Sequence, residues 1–544
     1  MNIISLRSVF VVLVAIGVGI WPRTREFLGL FQQSFGSPGN DETLALYYDD
    51  IAEKESCLNR FTDALKSATI ATVGAPNHVS PEAKGAFDSL HKDLQRHFPR
   101  VWKSLRVDTV HEYSLLMEWK GADPSLDPIV FISHLDVVPA TERVDAWTYP
   151  PFSGTVAQGY VWGRGSLDTK FTAVAILEAV NQLLIKGFEP KRSILIAFGH
   201  DEEIGGHKGA QALADKLEGV TPALVVDEGG FIVEDNLSLG KTVLARGPFA
   251  VLSTGEKTAQ NWKVTVRGEG GHASLPDTGS GKTVAAKLAK VIAALEANPL
   301  PTKLEAPTTD LLKSMGEVMS FWPLRWILQH ADHPLLNPIM GQMMGSMGGK
   351  TLGALVRSTV GIVSVLAGGN ADNVLPQAGS LNINVRTLPS DSRESVHQYF
   401  EMLTKSIDET IEIEDISAVV YPEQTVTPSD SSQFNMVKGV VQEIFSYRTA
   451  EKGAERKHGS MHHAIPVFPM LLTGMTDSRW YHRIAPEKII RFSPFSFNIS
   501  RGDLSMLHGV NEKVPVEEYY DAVRFFSRLM YKSAVDKDQS WSTT

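Results

Sequence analysis

The sequence predicts an α/β fold: a mostly parallel sheet covered on both faces by helices, with an α+β domain inserted into it. Three observations predict it. Short apolar runs recur at Ile129–Ser133, Ser193–Phe198 and Ala223–Val226, the length of buried strands. Between them lie stretches with helical spacing. Over Thr169–Lys186 the apolar residues Ala173, Ile176, Leu177, Val180, Leu183 and Leu184 fall on one stripe, and a second helix fits Lys208–Leu217. Strands alternating with helices of this length imply parallel pairing, and sites form at the ends of such strands. Near Ala250 the pattern changes. Trp262–Val266 and Leu381–Val385 alternate polar and apolar, as half-buried strands do, and Thr283–Leu295 is an amphipathic helix.

In chain order, the first feature is Val9–Trp21, a run of 13 residues without a charge, preceded by Arg7 and followed by Arg23. It fits the apolar core of a signal peptide and falls short of the ~20 residues a spanning helix needs. No small-x-small cleavage site follows. Residues 1–22 therefore read as an export signal or a single uncleaved membrane anchor, which implies an extracytoplasmic protein. Residues 23–41, rich in Gly, Ser and Gln, read as a linker. Residues 42–249 form the first part of the main domain and open with a helical pattern from Glu42 to about Pro99. Residues 250–420 form the insert. The main domain resumes over 421–533, closing with a helix at Val516–Met530, and 534–544 is a tail. Within the insert, residues 310–360 hold six of the 15 methionines (Met315, Met319, Met340, Met343, Met344, Met347) with Trp322 and Trp326. Core packing is the plainer reading; the alternative is an adaptable apolar surface.

Composition narrows the function classes. Lys and Arg number 52 against 62 Asp and Glu, a net charge of −10. This argues against nucleic acid as partner, because phosphate binding needs clustered cations. With 43% hydrophobic and 21% charged residues the chain is neither disordered nor a polytopic membrane protein. The single cysteine, Cys57, excludes an intrachain disulfide and a thiolate metal cluster.

Chemistry-bearing residues follow the apolar runs. His134 and Asp136 stand in Ile132-Ser-His-Leu-Asp-Val-Val-Pro139, and Asp168 in Gly163-Arg-Gly-Ser-Leu-Asp-Thr-Lys170. Glu202 and Glu203 stand in Gly199-His-Asp-Glu-Glu-Ile-Gly-Gly206, Asp227 in Val225-Val-Asp-Glu-Gly-Gly230, and His508 in Leu507-His-Gly-Val-Asn-Glu512. Singly each is weak evidence, since acids at helix starts are commonly caps. Together they are not. Carboxylates at the ends of neighbouring strands repel unless a cation sits among them. His, Asp and Glu without Cys suit Zn²⁺ or a similar ion, and five ligands are the right number for two ions sharing one carboxylate.

The set resembles the co-catalytic zinc peptidases of metallopeptidase family twenty, which include aminoacylase, carboxypeptidase S and glutamate carboxypeptidase. It is most similar to the carboxypeptidase S branch, which also holds N-fatty-acyl-amino-acid synthase/hydrolases. The resemblance runs from about residue 42 to 533. It implies a zinc-peptidase catalytic domain with an inserted lid and dimerisation domain, two Zn²⁺ ions, and a homodimer formed through the lid. His134 and Asp227 are implied to bind one zinc and Glu203 and His508 the other, with Asp168 bridging. Asp136 is implied to fix the His134 tautomer, and Glu202 to be the general base. His272, in Gly270-Gly-His-Ala-Ser274, matches the lid histidine that stabilises the oxyanion. Asn373 and Arg386 match the pair that holds a substrate carboxylate, and Arg479, in Thr476-Asp-Ser-Arg479, is a further candidate for that pocket. One residue departs from the pattern: Thr169 follows the bridging acid where the family often has Asp.

The implied reaction is hydrolysis of the amide bond of a peptide or N-acyl amino acid bearing a free carboxylate. Carboxypeptidase and fatty-acyl amino-acid hydrolase or synthase both fit. A non-catalytic ligand-binding relative is the rival from another class, and the intact Glu202 argues against it. A di-metal phosphoesterase would need basic residues around the metals, and few lie near these motifs.

Overall fold

Ile194–Gly199, Ile129–His134, Leu224–Asp227 and Ile489–Arg491 lie side by side and parallel at the centre of a ten-stranded sheet. Arg106–Val110 and Ser114–Trp119 extend it antiparallel on one side. Phe249–Glu256, Phe231–Val233 and Ser496–Phe497 continue it on the other, and Val467–Leu472 pairs parallel with Phe249–Glu256. The computed structural model describes residues 51–140, 146–239, 242–245, 247–277, 279–319, 321–368, 371–445 and 464–535. The expectations for the export segment, the linker and residues 536–544 lie outside them. Among the described residues no helix is long and apolar enough to cross a membrane.

The central strands are buried along their whole length because both faces are covered. Ile129 and Phe131 point into one layer, packed by the helices Lys170–Ile185, Ser432–Phe445 and Val516–Val535. Val130 and Ile132 point into the other, packed by Ala210–Lys216 and the turn around Trp480. From Ile129 on, the expected strands and helices are present, each within about five residues of its predicted ends, while the start of the opening helical pattern at 42–50 lies outside the described residues. The opening helical pattern resolves into Lys54–Ala64 and Pro81–His97, broken by the Gly74–Pro76 turn. Phe61 stacks on Tyr519 with centroids 4.5 Å apart, tying the first helix to the last. Such a pair contributes about 0.5–1.5 kcal/mol beyond its buried area.

The insert holds a separate four-stranded antiparallel sheet, ordered Thr359–Ala367, Ala378–Thr387, Thr258–Arg267, Glu412–Asp415. The helices Val284–Ala297 and Arg393–Lys405 close its core, and each begins at a side-chain cap, Thr283 and Ser392. Phe249–Glu256 belongs to the main sheet, so the second sheet starts at Thr258 rather than at residue 250.

The methionine-rich segment divides. Met315 and Met319 pack with Phe249, Val251 and Phe468 at the margin of the main sheet. Trp322 and Trp326 do not join them; each is about half exposed, at 52% and 51%.

Candidate metal centre

The site lies where the central strands end. His134 is the last residue of Ile129–His134, the Glu202–Ile204 turn follows Ile194–Gly199, and Glu228 follows Leu224–Asp227. Asp168 comes from the loop before the helix Lys170–Ile185, and His508 from a loop 340 residues further on. Two side chains join those loops. Glu512 accepts the backbone N–H groups of Leu167 (2.7 Å) and Asp168 (3.2 Å) and pairs with Arg164 (2.6 Å). Arg164 in turn donates to the carbonyls of His508 (3.2 Å) and Gly509 (3.0 Å).

Asp168 stands between two histidines. Its Oδ1 is 3.1 Å from His134 Nε2 and its Oδ2 is 2.9 Å from His508 Nε2. Glu228 Oε1 lies 3.3 Å from His134 Nε2, and Glu203 Oε2 lies 3.2 Å from His508 Nε2. Ligand atoms of His134, Asp168 and Glu228 all lie within 4.8 Å of one another, as do those of Asp168, Glu203 and His508. Each trio offers three ligand atoms, the number that would leave a catalytic ion a further position for water or substrate.

The electrostatics fit a cation. Burial and the neighbouring Asp168 charge push Glu228 up to about 8 and Glu203 up to about 7. Hydrogen bonds to Asp168 and Glu203 lift His508 to about 10. Burial alone would raise Asp168, but bonds from both histidines hold it well below the usual carboxylate range. Glu203 Oε1 is buried without a hydrogen-bond partner. Protons here do what a divalent ion would do better.

Asp227, expected from the sequence as a ligand, holds its carboxylate on two backbone N–H groups in this structure. Oδ2 accepts from the backbone N–H of Ser478 (2.7 Å) and Oδ1 from that of Glu228 (2.9 Å). Asp227 ends the strand Leu224–Asp227, and it is the next residue, Glu228, whose Oε1 lies beside His134. The Val225-Val-Asp-Glu stretch carries two adjacent acids and no spacing signal that selects between them.

Asp136 sits behind His134. The Nδ1 of His134 is 3.0 Å from the Asp136 carbonyl and 3.3 Å from its Oδ1, so it carries the proton and leaves Nε2 free to ligate. Both Asp136 oxygens also accept backbone N–H groups, those of Glu202 and Glu203 at 3.1 Å each. One carboxylate thereby orients a histidine and the acidic turn together. Glu202 Oε1 accepts from Arg479 Nη2 at 2.9 Å, and burial raises its pKa. Arg479 is buried against the main domain rather than directed at open solvent.

The lid residues fall into two groups. Arg386, on Ala378–Thr387, is partly buried, and the charges of Arg479 and Glu202 both act on it. His272 and Asn373 lie together elsewhere. Gly271–His272 pairs with Val374–Leu375, and the Asn373 carbonyl accepts from the Ala273 N–H at 2.9 Å. His272 is exposed, its Nδ1 bonded to Ser274 Oγ at 2.7 Å.

Residues 130–532 match the sequence model of peptidase family M20/M25/M40. The chain belongs to this family. Among M20 relatives, probable carboxypeptidase S-like 2 of Dictyostelium discoideum is 34% identical over 82% of this chain and 79% of its own length. The N-fatty-acyl-amino acid synthase/hydrolase PM20D1 of Mus musculus is 32% identical over 88% of each chain. The fold is shared with the M20 family metallo-carboxypeptidase Sso-CP2 of Sulfolobus solfataricus. That match has a TM-score of 0.58 at 15% identity and covers 88% of this chain and 98% of the other. The M20 match makes the chain a metallopeptidase-type hydrolase.

Proposed function

We propose that this chain is a di-zinc amidohydrolase that cleaves an amide bond next to a free carboxylate, in peptides or in N-acyl amino acids. The observation that carries this is Asp168, with one oxygen turned to each of two histidine-carboxylate groups. His134, Asp168 and Glu228 would hold one ion, and Asp168, Glu203 and His508 the other. When bound, the pair supplies Lewis acidity to a water and to the scissile carbonyl.

The chain's own residues do the rest. Glu202 takes the proton of the attacking water and hands it to the leaving nitrogen. Asp136 keeps His134 in the tautomer that ligates. Arg386 receives the substrate carboxylate, supported by its place near the Glu202–Arg479 pair. His272 donates to the tetrahedral oxyanion. Its exposure in the single chain supports a homodimer through the lid, in which it serves the partner's site. The names of the relatives support both substrate classes, carboxypeptidase and fatty-acyl amino acid. Hydrolysis and condensation share one transition state, so both directions are open to this geometry. The Val9–Trp21 run supports an extracytoplasmic location, by secretion or by an N-terminal anchor.

The test is zinc-reconstituted protein assayed on N-acyl amino acids from acetyl to oleoyl, on unblocked dipeptides, and on C-terminally amidated counterparts. Turnover of carboxylate-bearing substrates with little on the amidated ones supports the reading. Equal turnover of both would remove the carboxylate requirement.

A further inference from the structure

The segment Thr476-Asp-Ser-Arg479 contains a buried acid whose carboxylate oxygens make no hydrogen bond. Its backbone is held on both sides. The Thr476 N–H donates to Glu256 at 2.9 Å and the Ser478 N–H to Asp227 at 2.7 Å. Glu256 is itself paired with buried Arg491 at 3.0 Å. Between these anchors Asp477 is 1% exposed, yet neither of its carboxylate oxygens makes a hydrogen bond. A buried carboxylate without a hydrogen bond is costly in general, so its presence calls for a reason.

Its surroundings are shaped to hold it. A Cβ added to Gly199 would lie 2.5 Å from Asp477 Oδ2, and one added to Gly206 would lie 2.5 Å from Oδ1. Gly206 also has φ +71°, which a side chain would strain. These two glycines flank the acidic turn that carries Glu202. The remaining neighbour is Arg479. Its Nη2 is 2.9 Å from Glu202 Oε1 but 3.5 Å from Asp477 Oδ1, and its Nε is buried without a partner. The guanidinium lies over the Tyr421 ring at 5.7 Å, a surface along which it can shift. One cation thus stands between two acids and is bonded to one of them.

We propose that Asp477 is a positioning residue: it receives the Arg479 guanidinium when Glu202 swings to act on water. This rests on Glu202 being the base. A carboxylate that moves a proton from water to a leaving nitrogen must turn between them, and one tied to a buried guanidinium cannot turn freely. Asp477 supplies the second station. A shift of the guanidinium of well under an ångström closes its 3.5 Å separation from Asp477 to a hydrogen bond, so the cation keeps a hydrogen-bonded acid when Glu202 turns away.

The test is a double-mutant cycle on zinc-loaded full-length protein, with Glu202→Gln as control. Asp477→Asn, which conserves shape, should lower kcat about tenfold with KM changed less than about twofold and metal content unchanged. In an Arg479→Gln background the same change should cost nothing further. An unchanged kcat, or an equal loss in both backgrounds, would overturn the proposal. If Glu202→Gln itself keeps turnover, the base assignment fails first, and this failure is separately visible. A crystal structure with a phosphinic peptide bound reads the same shift without any substitution at Asp477. Arg479 should then be hydrogen-bonded to Asp477; a guanidinium still on Glu202 alone would contradict it.

Discussion

Asp168 and Glu512, 344 residues apart, are joined by a hydrogen bond from the Asp168 N–H to Glu512 Oε1. Through this bond and the Arg164 pair, the loop that carries His508 is set against the loop that carries Asp168. The centre is therefore built from distant parts of the sequence and is only as well formed as this buried contact.

Glu512→Gln keeps the volume but leaves the Arg164 guanidinium without its charge partner. Removing one partner of a buried pair costs about 3–5 kcal/mol. The expected outcome is a clear fall in stability by denaturant titration, together with weakened metal binding, although Glu512 touches no metal.

Asp168→Asn should abolish binding of both ions, because it removes an oxygen charge from both trios at once. Glu228→Gln should lose about half of the metal and keep the fold. Asp227→Asn should keep the metal but destabilise the Ser478 turn by about 1–3 kcal/mol, the cost of an unsatisfied buried donor. Metal analysis of the three purified variants separates these outcomes, and metal loss in Asp227→Asn would reverse the assignment of Glu228.

Metal loading should release protons. In the metal-free protein burial and the Asp168 charge push Glu228 up to about 8 and Glu203 to about 7, and its carboxylate partners lift His508 to about 10, so at neutral pH Glu228 and His508, and about half of Glu203, carry protons that a cation must displace. Apparent zinc affinity therefore rises with pH from about 6 to 9 and falls on acidification. Calorimetric titration in buffers of different ionisation enthalpy reads the number released, and a pH-independent affinity would contradict the protonated cluster.

Much of this was legible in the sequence because it is local. The runs Ile129–Ser133, Ser193–Phe198 and Ala223–Val226 announce strands buried on both faces, and they are the centre of the sheet. His134, Asp168, Glu203 and His508 stand in distinctive short motifs, and the fold brings them together. Asp227 and Glu228 are adjacent acids, and no spacing in the sequence selects between them as ligands. The role of Glu512 was hidden for another reason: it acts through Arg164 and two N–H groups brought near it only by the tertiary fold. Arg479 reads from sequence as a substrate contact; its bond to Glu202 depends on a turn held by Asp227 and Glu256, which no spacing encodes. Trp322 and Trp326 show the same limit. Their composition matches that of a core, and only the packing of Thr308–Val318 on the sheet leaves them outside.

The most direct measurement is turnover and metal content of Glu202→Gln on one sample. The expected result is a loss of about 10³-fold or more in kcat, within the range of general base catalysis, with two metal ions per chain retained. Retained turnover would show that another group moves the proton. Loss of an ion would show that Glu202 is a ligand, and the division of labour between Glu202 and Glu203 would have to be redrawn.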